Sequence, residues 1–460
     1  METVLRSEHA KTLLDKVKNR TAQVAVVGLG YVGLPTAVAF AEAGFRVHGA
    51  DLDARKVDSL NLGISPLKEL GLDDAVARTV EAERFSATGD VAAACDAADL
   101  VLLIVPTPVT EDKQPDLSYV HSAADAAARV LRAGQLVVLE STTYPGTSDE
   151  VLIPALEKAS GLKAGVDFGV AYCPERYNPG DAEHTLSSVH RVIGAITADW
   201  AEVATEFYGV LNDGKITRVR DLKTAEASKV IENIQRDLNI ALVNELALIF
   251  EKMGIDTHEV VDAAATKWNF VPYRPGPGVG GHCLPVDPYY LTSVAERLGY
   301  HPRVILAGRG VNDGMPAHVV GLVVDALNDS GRALKGAKVA VLGVAYKAET
   351  GDARESPAVS VVRQLAAKGA ELRVVDPHVS AEEVQKRTGQ ERWALEEALD
   401  GAEAVVLLTP HSVFTALGAE DLTGRLVPGA AVVDASRTFD FATVAEAGFV
   451  YRGVGRGLRA

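Results

Sequence analysis

QVAVVGLGYVG, residues 23–33, decides how the chain folds. It opens with a short valine-rich run that stops at glycine, the pattern of a parallel strand buried on both faces. Glycines follow at 28, 30 and 33 in the spacing G-x-G-x-x-G, and residues 33–43 then read as a helix with alanine on its packing side. In that pattern Gly28 allows the tight turn, Gly30 lets a ligand approach the backbone, and Gly33 lets helix and strand pack closely.

Outward from this turn, residues 45–50 read as a second strand ending at Asp51, and 99–105 and 135–140 as further strands with alanine-rich helical stretches between them. Strand–helix alternation of this kind predicts a doubly wound parallel sheet, that is, a Rossmann-like domain. The helix N-terminus after Gly30 offers free N–H groups and a positive dipole end to a pyrophosphate. A carboxylate at Asp51 accepts ribose hydroxyls and repels a 2′-phosphate, so the expected dinucleotide is NAD rather than NADP.

The pattern changes after about residue 215. Residues 221–254 contain no proline and no internal glycine, with Val230, Ile231, Ile234, Leu238, Leu242, Leu246, Ile249 and Phe250 at helical spacing. This predicts one long helix ending at Gly254, of a kind that links domains or packs against a partner subunit. The strand logic then restarts at 336–343 and 371–376, with later runs at 403–408 and 430–434. The expected class is α/β, with two Rossmann-like doubly wound parallel-sheet domains joined by a long central helix. The boundaries read as an N-terminal extension at 1–20, a dinucleotide domain at 21–215, a central helical segment at 216–324 and a second Rossmann-like domain at 325–460. The second glycine turn, Gly343 to Lys347, lacks the full motif, so it reads equally as a ligand site and as a packing turn.

Bulk properties fit a multidomain globular chain: 460 residues exceed what one core usually organises, and a net charge of −16 disfavours nonspecific nucleic-acid binding. No run is long and apolar enough for a membrane span and no secretory leader is visible, so the expected location is cytoplasmic. Leu5, Leu13, Leu14 and Val17 make the first residues an amphipathic helix, to which no role is assigned. The three cysteines, Cys95, Cys173 and Cys283, are scattered and suggest neither disulfides nor a structural metal site.

Cys283 stands apart from the other two. It lies in PGVGGHCLPVDP, residues 277–288, beside Gly280, Gly281 and His282 and four residues before Asp287. If the intervening turn is helical, thiol and carboxylate share a face. A thiolate there can hold an aldehyde covalently while a hydride acceptor oxidises it. By residue pattern alone a structural cysteine is an equal reading. Lys229 and Asn233, four apart on the long helix, read by default as a solvated face. Glu175, in a loop after a strand, reads as exposed, and Thr142 stands at the carboxyl edge of the strand 135–140.

Taken together these segments resemble the UDP-glucose/GDP-mannose dehydrogenase superfamily. The resemblance is carried by VAVVGLGYVGLP at 24–35, VPTP at 105–108, ESTTYPGT at 140–147, YCPER at 172–176, EASKVIEN at 226–233, PGPGVGGHCLPVDPYYL at 275–291 and GVAYKAETGDARESPA at 343–358. The cysteine loop looks most like the branch acting on UDP-N-acetylhexosamines. The resemblance implies oxidation of a sugar C6 alcohol to a carboxylate with two NAD, Cys283 being the nucleophile. It implies Lys229, Asn233, Asp287, Glu175 and Thr142 as the polar catalytic set. It implies Gly28, Gly30, Tyr31, Val32, Gly33, Asp51, Thr107 and Thr142 as NAD contacts. Substrate contacts would be Glu175, Arg176, Lys229, Asn233, Arg274, Gly280, Lys347 and Arg354, with no metal. It further implies a homodimer built on the long helix, and the UDP part of the substrate on the second Rossmann-like domain. Asp434-Ala-Ser-Arg437 stands where relatives often have Asp-x-Arg, so no role passes to Arg437.

Overall fold

The computed structural model describes residues 7–67, 71–110, 112–176 and 185–457. The chain divides into two compact units, one of Met1–Glu232 with Tyr289–Gly299 and one of Asn233–Pro288 with Tyr300–Ala460.

The first unit is built on eight strands: β1 (Gln23–Val27), β2 (Arg46–Ala50), β3 (Phe85–Thr88), β4 (Leu100–Leu103), β5 (Leu136–Leu139), β6 (Gly169–Tyr172), β7 (Arg191–Ala195) and β8 (Ile216–Arg218). Their order is β3-β2-β1-β4-β5-β6-β7-β8. The first six follow the doubly wound order in which direction of growth reverses between β1 and β4. Val24 registers with Val47 on one side and Leu100 on the other, so β1 is central and its apolar run is explained by burial on both faces. One departure from a wholly parallel sheet occurs: β7 runs antiparallel to β6. Among the described residues no helix intervenes between these strands.

Part of the N-terminal extension belongs to this core. The helix Glu8–Lys18, capped by Ser7, buries Ala10, Leu13, Leu14 and Val17, and Lys16 reaches Asp99 at 2.8 Å. Leu5 lies outside the described residues.

The second unit carries β9 (Lys338–Leu342), β10 (Glu371–Val375), β11 (Ala404–Leu407), β12 (Ala431–Asp434) and β13 (Val450–Gly453), all parallel, in the order β10-β9-β11-β12-β13. The order again reverses, here between β9 and β11.

The long helix runs Leu222–Met253 and ends at Gly254, whose φ of +72° suits a left-handed stop. The division between the units falls within it. Val230, Ile234, Ala241 and Ala247 are buried, whereas Ile231, Leu242, Ile249 and Met253 stand about half exposed. A second long helix, Arg303–Asp329, contains Pro316 and was not legible from its composition. Among the described residues no helix is long and apolar enough to cross a membrane.

Candidate active site

The glycine turn after β1 separates packing from ligand access. A Cβ on Gly28, where φ is +96°, would sit 2.1 Å from the Ile104 carbonyl oxygen, and one on Gly33 would sit 1.8 Å from the Gly28 oxygen. Gly30 has nothing within 4 Å of the same position. Two glycines therefore allow the backbone to close, and the third leaves a cradle that a side chain would fill. The helix Gly33–Glu42 starts there, with its free N–H groups toward the turn. Tyr31 and Val32 complete the turn, and half-buried Thr107 and Thr142 follow β4 and β5 at the carboxyl edge of the sheet.

Asp51 follows β2 directly and accepts the Leu29 N–H at 2.9 Å and the Lys56 ammonium at 2.7 Å. Burial alone would raise its pKa. The hydrogen bond from Lys56, with those from the Asp53 and Leu29 N–H groups, outweighs burial and holds the carboxyl below its usual range. An ionised acceptor beside an open pyrophosphate cradle fits an NAD adenosine ribose.

Glu175 is not the exposed loop acid its neighbours in sequence suggest. It is 8% exposed, and Arg191, on β7, donates to it at 2.6 Å. Its other oxygen accepts the Arg176 N–H. The opposite side of Arg191 faces Glu140 at 3.8 Å, and Tyr208 donates to Glu140 at 2.6 Å. Desolvation pushes Glu140 up to about 7, although Arg191 pulls the other way. Arg176 bonds to Glu232 at 2.9 Å and to the His190 carbonyl. Cys173 is buried against this cluster and burial drives its thiol upward, while the Cys95 thiol is pushed up to about 12 by the same cause. Both behave as core residues.

Cys283, by contrast, is exposed. The turn after it is helical: its carbonyl accepts the Asp287 N–H at 2.8 Å, and the helix Asp287–Arg297 continues from there. Asp287 is 3% exposed, and Asn233 donates to it at 2.5 Å. The second unit thus brings Cys283, Asp287 and Asn233 into one constellation. Lys229 is half-buried one helical turn before Asn233.

The loop that carries the thiol is pinned from behind. Arg309 donates to buried Asp237 at 2.6 Å, and Asn312 donates to the same carboxylate at 2.9 Å. Asn244 donates to Asn312, and its own oxygen accepts the Gly276 N–H at 3.0 Å. Gly280 serves packing: a Cβ there would lie 2.8 Å from the Pro357 ring and 2.9 Å from the Tyr346 Cβ. Arg274 is paired with Asp262 and the His258 carbonyl within its own chain.

A cavity of about 240 Å³ lies between this loop and the glycine turn after β9, lined by Pro275 to Gly278, Ala345 to Ala348 and Leu408 to Pro410. Exposed Lys347 is at its wall, and Arg354 holds Asp352 through two nitrogens. The cavity sits where strand order reverses, the usual ligand position in such sheets. The turn itself does not copy the first one. Asp376, which stands at the end of β10 as Asp51 stands at the end of β2, is wholly buried. It accepts N–H groups from Val344, Ala345, His378 and Val379, and His411 faces it at 3.2 Å. These contacts outweigh desolvation and hold it at about 2. Asp376 is thus committed within the protein, and this turn does not repeat the open carboxylate of the first. The side chains of Glu349, His378 and His411 have metal-binding atoms within 4.8 Å of one another. His411, however, already accepts the Glu349 N–H through Nδ1 and meets Asp376 through Nε2, which leaves it no lone pair for a metal.

Residues 22–212 match the NAD-binding domain of the UDP-glucose/GDP-mannose dehydrogenase family, 223–314 its central domain and 340–441 its UDP-binding domain. The chain belongs to that family. Its cofactor is NAD, and it is an oxidoreductase of nucleotide sugars. A UDP-N-acetyl-D-glucosamine 6-dehydrogenase of Pseudomonas aeruginosa is 44% identical over 87% of this chain and 93% of its own length. The structure of a UDP-N-acetyl-D-mannosamine dehydrogenase from Pyrococcus horikoshii superposes with a TM-score of 0.87 at 35% identity, covering 95% of this chain and 99% of that one. A UDP-glucose dehydrogenase from Pyrobaculum islandicum gives 0.83 at 31% identity over 94% and 98%. Overall shape within the family therefore does not choose the sugar.

Arg191, Glu140 and Asp352 escaped the reading of motifs in this family member. Arg191 opens a strand, where a charge normally faces solvent, and its partners lie 16 and 51 positions away. The one available signal was the apolar run after it, VIGA, which marks the strand as internal.

Proposed function

We propose that the protein oxidises the C6 hydroxyl of a UDP-N-acetylhexosamine, UDP-N-acetylglucosamine or UDP-N-acetylmannosamine, to the uronate through a Cys283 thioester. The Gly28–Gly33 turn would hold NAD, with Asp51 toward its ribose, and the cofactor would supply the hydride acceptor for each of two oxidations. The UDP part occupies the cavity beside Lys347, with Arg354 as a further contact.

The alcohol first loses a hydride and a proton to become the aldehyde. The Cys283 thiolate adds to the aldehyde carbon and gives a thiohemiacetal. Lys229 and Asn233 stabilise the oxyanion, each such donor contributing about 3–4 kcal/mol in comparable sites. Loss of the second hydride leaves a thioester. Water, deprotonated with the help of Glu175 and held by Thr142, hydrolyses it and releases the thiol, and Asp287 orients the water or takes a proton. The half-exposed Ile231, Leu242 and Ile249 of the long helix support a homodimer built on that face. The product is a building block for surface polysaccharide made in the cytoplasm, a compartment in which cysteines stay unbridged.

One observation carries the reading: of three thiols, two are buried core residues, and the third is exposed at the head of a helical turn beside buried Asp287 and Asn233. The test is stoichiometry. Two NADH are expected per UDP-N-acetylhexosamine consumed, in a panel that includes UDP-glucose, and Cys283→Ala should stop turnover. One NADH per sugar, or undiminished turnover by Cys283→Ala, overturns the thioester route.

A further inference from the structure

The residue before the nucleophile, His282, is fixed by its ring. Its Nε2 lies 2.9 Å from an Asp352 carboxylate oxygen. Asp352 is itself almost buried, its side chain 8% exposed, and Arg354 grips it through Nε at 3.0 Å and Nη2 at 2.7 Å. A guanidinium that cannot lose its proton keeps that carboxylate ionised. The acceptor for the imidazole is thus permanent, and His282 meets it as an N–H donor.

The surrounding packing gives this bond a direction. Gly280 and Gly281 press against Tyr346 and Pro357, so the cysteine loop lies directly on the segment from Gly343 to Pro357. Tyr346 donates its N–H to the Asp352 carbonyl, and its ring centroid is 6.0 Å from that of His282. The same segment supplies Ala345 to Ala348 and Ser356 to Ala358 to the wall of the cavity. One face of the segment therefore meets the nucleotide cavity, and its other contacts hold the residue that adjoins the thiol.

We propose that His282 is a positioning residue: its bond to Asp352 ties the Cys283 loop to the nucleotide-binding segment, so that occupancy by the UDP moiety sets the orientation of the thiol. This rests on the assignment of the cavity to UDP. Apolar packing by the glycines fixes the distance between loop and segment, but glycines give no directional hold, and the charge-assisted bond does.

The experiment reads the thiol without turnover. Cys95 and Cys173 are buried, so iodoacetamide reports on Cys283. UDP alone, which carries no sugar to cover the thiol, should change the alkylation rate of the wild-type protein. His282→Ala should lose that dependence while still binding UDP by calorimetry. Its kcat should fall about tenfold or more with little change in KM for the UDP-sugar, the effect of losing one hydrogen bond to a charged group. His282→Gln, whose amide can donate from about the position of Nε2, should retain both properties. The proposal is overturned if UDP leaves wild-type alkylation unchanged, if His282→Ala keeps the UDP effect, or if His282→Gln loses it. The dehydrogenase reading fails separately: a UDP effect that depends on His282, in a protein that forms no NADH from any UDP-hexose, would keep the tie and discard the reaction.

Discussion

Arg191 donates to Glu175 at 2.6 Å in a pair whose side chains are 1% and 6% exposed. Glu140, on the far side of the guanidinium, is wholly buried as well. One cation therefore serves two buried carboxylates.

Replacing that cation should be costly. Arg191→Met removes the cation 2.6 Å from buried Glu175 and 3.8 Å from buried Glu140, a loss of about 3–5 kcal/mol and roughly 10 °C or more in the melting of the first unit. Calorimetry checks the stability loss. Because Glu175 also loses its fixed orientation, thioester hydrolysis should slow in whatever fraction stays folded, seen as a covalent adduct on Cys283 by mass spectrometry of the intact protein.

Glu140 should leave a mark on the pH dependence of stability. Desolvation raises it from 4.5 to about 7, so between those values the folded state keeps a proton that the unfolded state has released. Stability from this group is complete below pH 4.5 and is lost as pH rises through about 7. The stability of the wild type relative to Glu140→Gln should therefore decline across that window and then level off. Melting temperatures of both proteins at half-unit pH steps test this, and a difference that grows in favour of the wild type would contradict the assignment.

Lys56 stands 2.7 Å from Asp51 at the ribose end of the cradle. Asp51→Ser removes the acceptor and leaves the ammonium facing the same place. Activity with NAD should fall about 10- to 100-fold, the value of a hydrogen bond to a charged group, while NADP should gain relative to NAD. Lys56→Met in the Asp51→Ser background should cancel the gain. The ratio of kcat/KM for the two cofactors is the measurement.

Two glycines offer a direct contrast. Gly30→Ala meets no protein atom within 4 Å, so melting should hardly change while KM for NAD rises. Gly280→Ala forces a Cβ to within 2.8 Å of Pro357, so about 1–3 kcal/mol of stability should be lost and turnover should fall through the displaced cysteine loop. A melting loss in Gly30→Ala would place that residue among the packing glycines.

Exchanging Asn233 and Asp287 separates hold from chemistry. The single Asn233→Ala variant removes one donor from a buried carboxylate, which costs about 1–3 kcal/mol. The double exchange Asn233→Asp with Asp287→Asn rebuilds the bond with the charge on the other residue. Stability should return toward that of the wild type and kcat should not.

The first sheet was legible because its central strands announce themselves: β1, β4 and β5 are short runs rich in valine or leucine. β8 was not, since Ile216–Arg218 is a short, largely exposed edge strand with no apolar run. The Cys283–Asp287 turn could be read because both residues belong to one local segment. The Arg191 cluster could not, because Glu140, Glu175 and Tyr208 come from separate elements and only tertiary packing gathers them. The role of Asp376 was hidden for the same reason: its position copies Asp51, and what distinguishes it is His411, 35 residues further on.

That difference has a consequence for a chain that must handle two kinds of nucleotide. Two sheets of like architecture invite each ligand to settle in the wrong berth. With its terminal carboxylate already occupied by backbone and imidazole, the second sheet cannot grip an adenosine ribose in the manner of the first. The difference between the two turns is built into the protein before either ligand arrives.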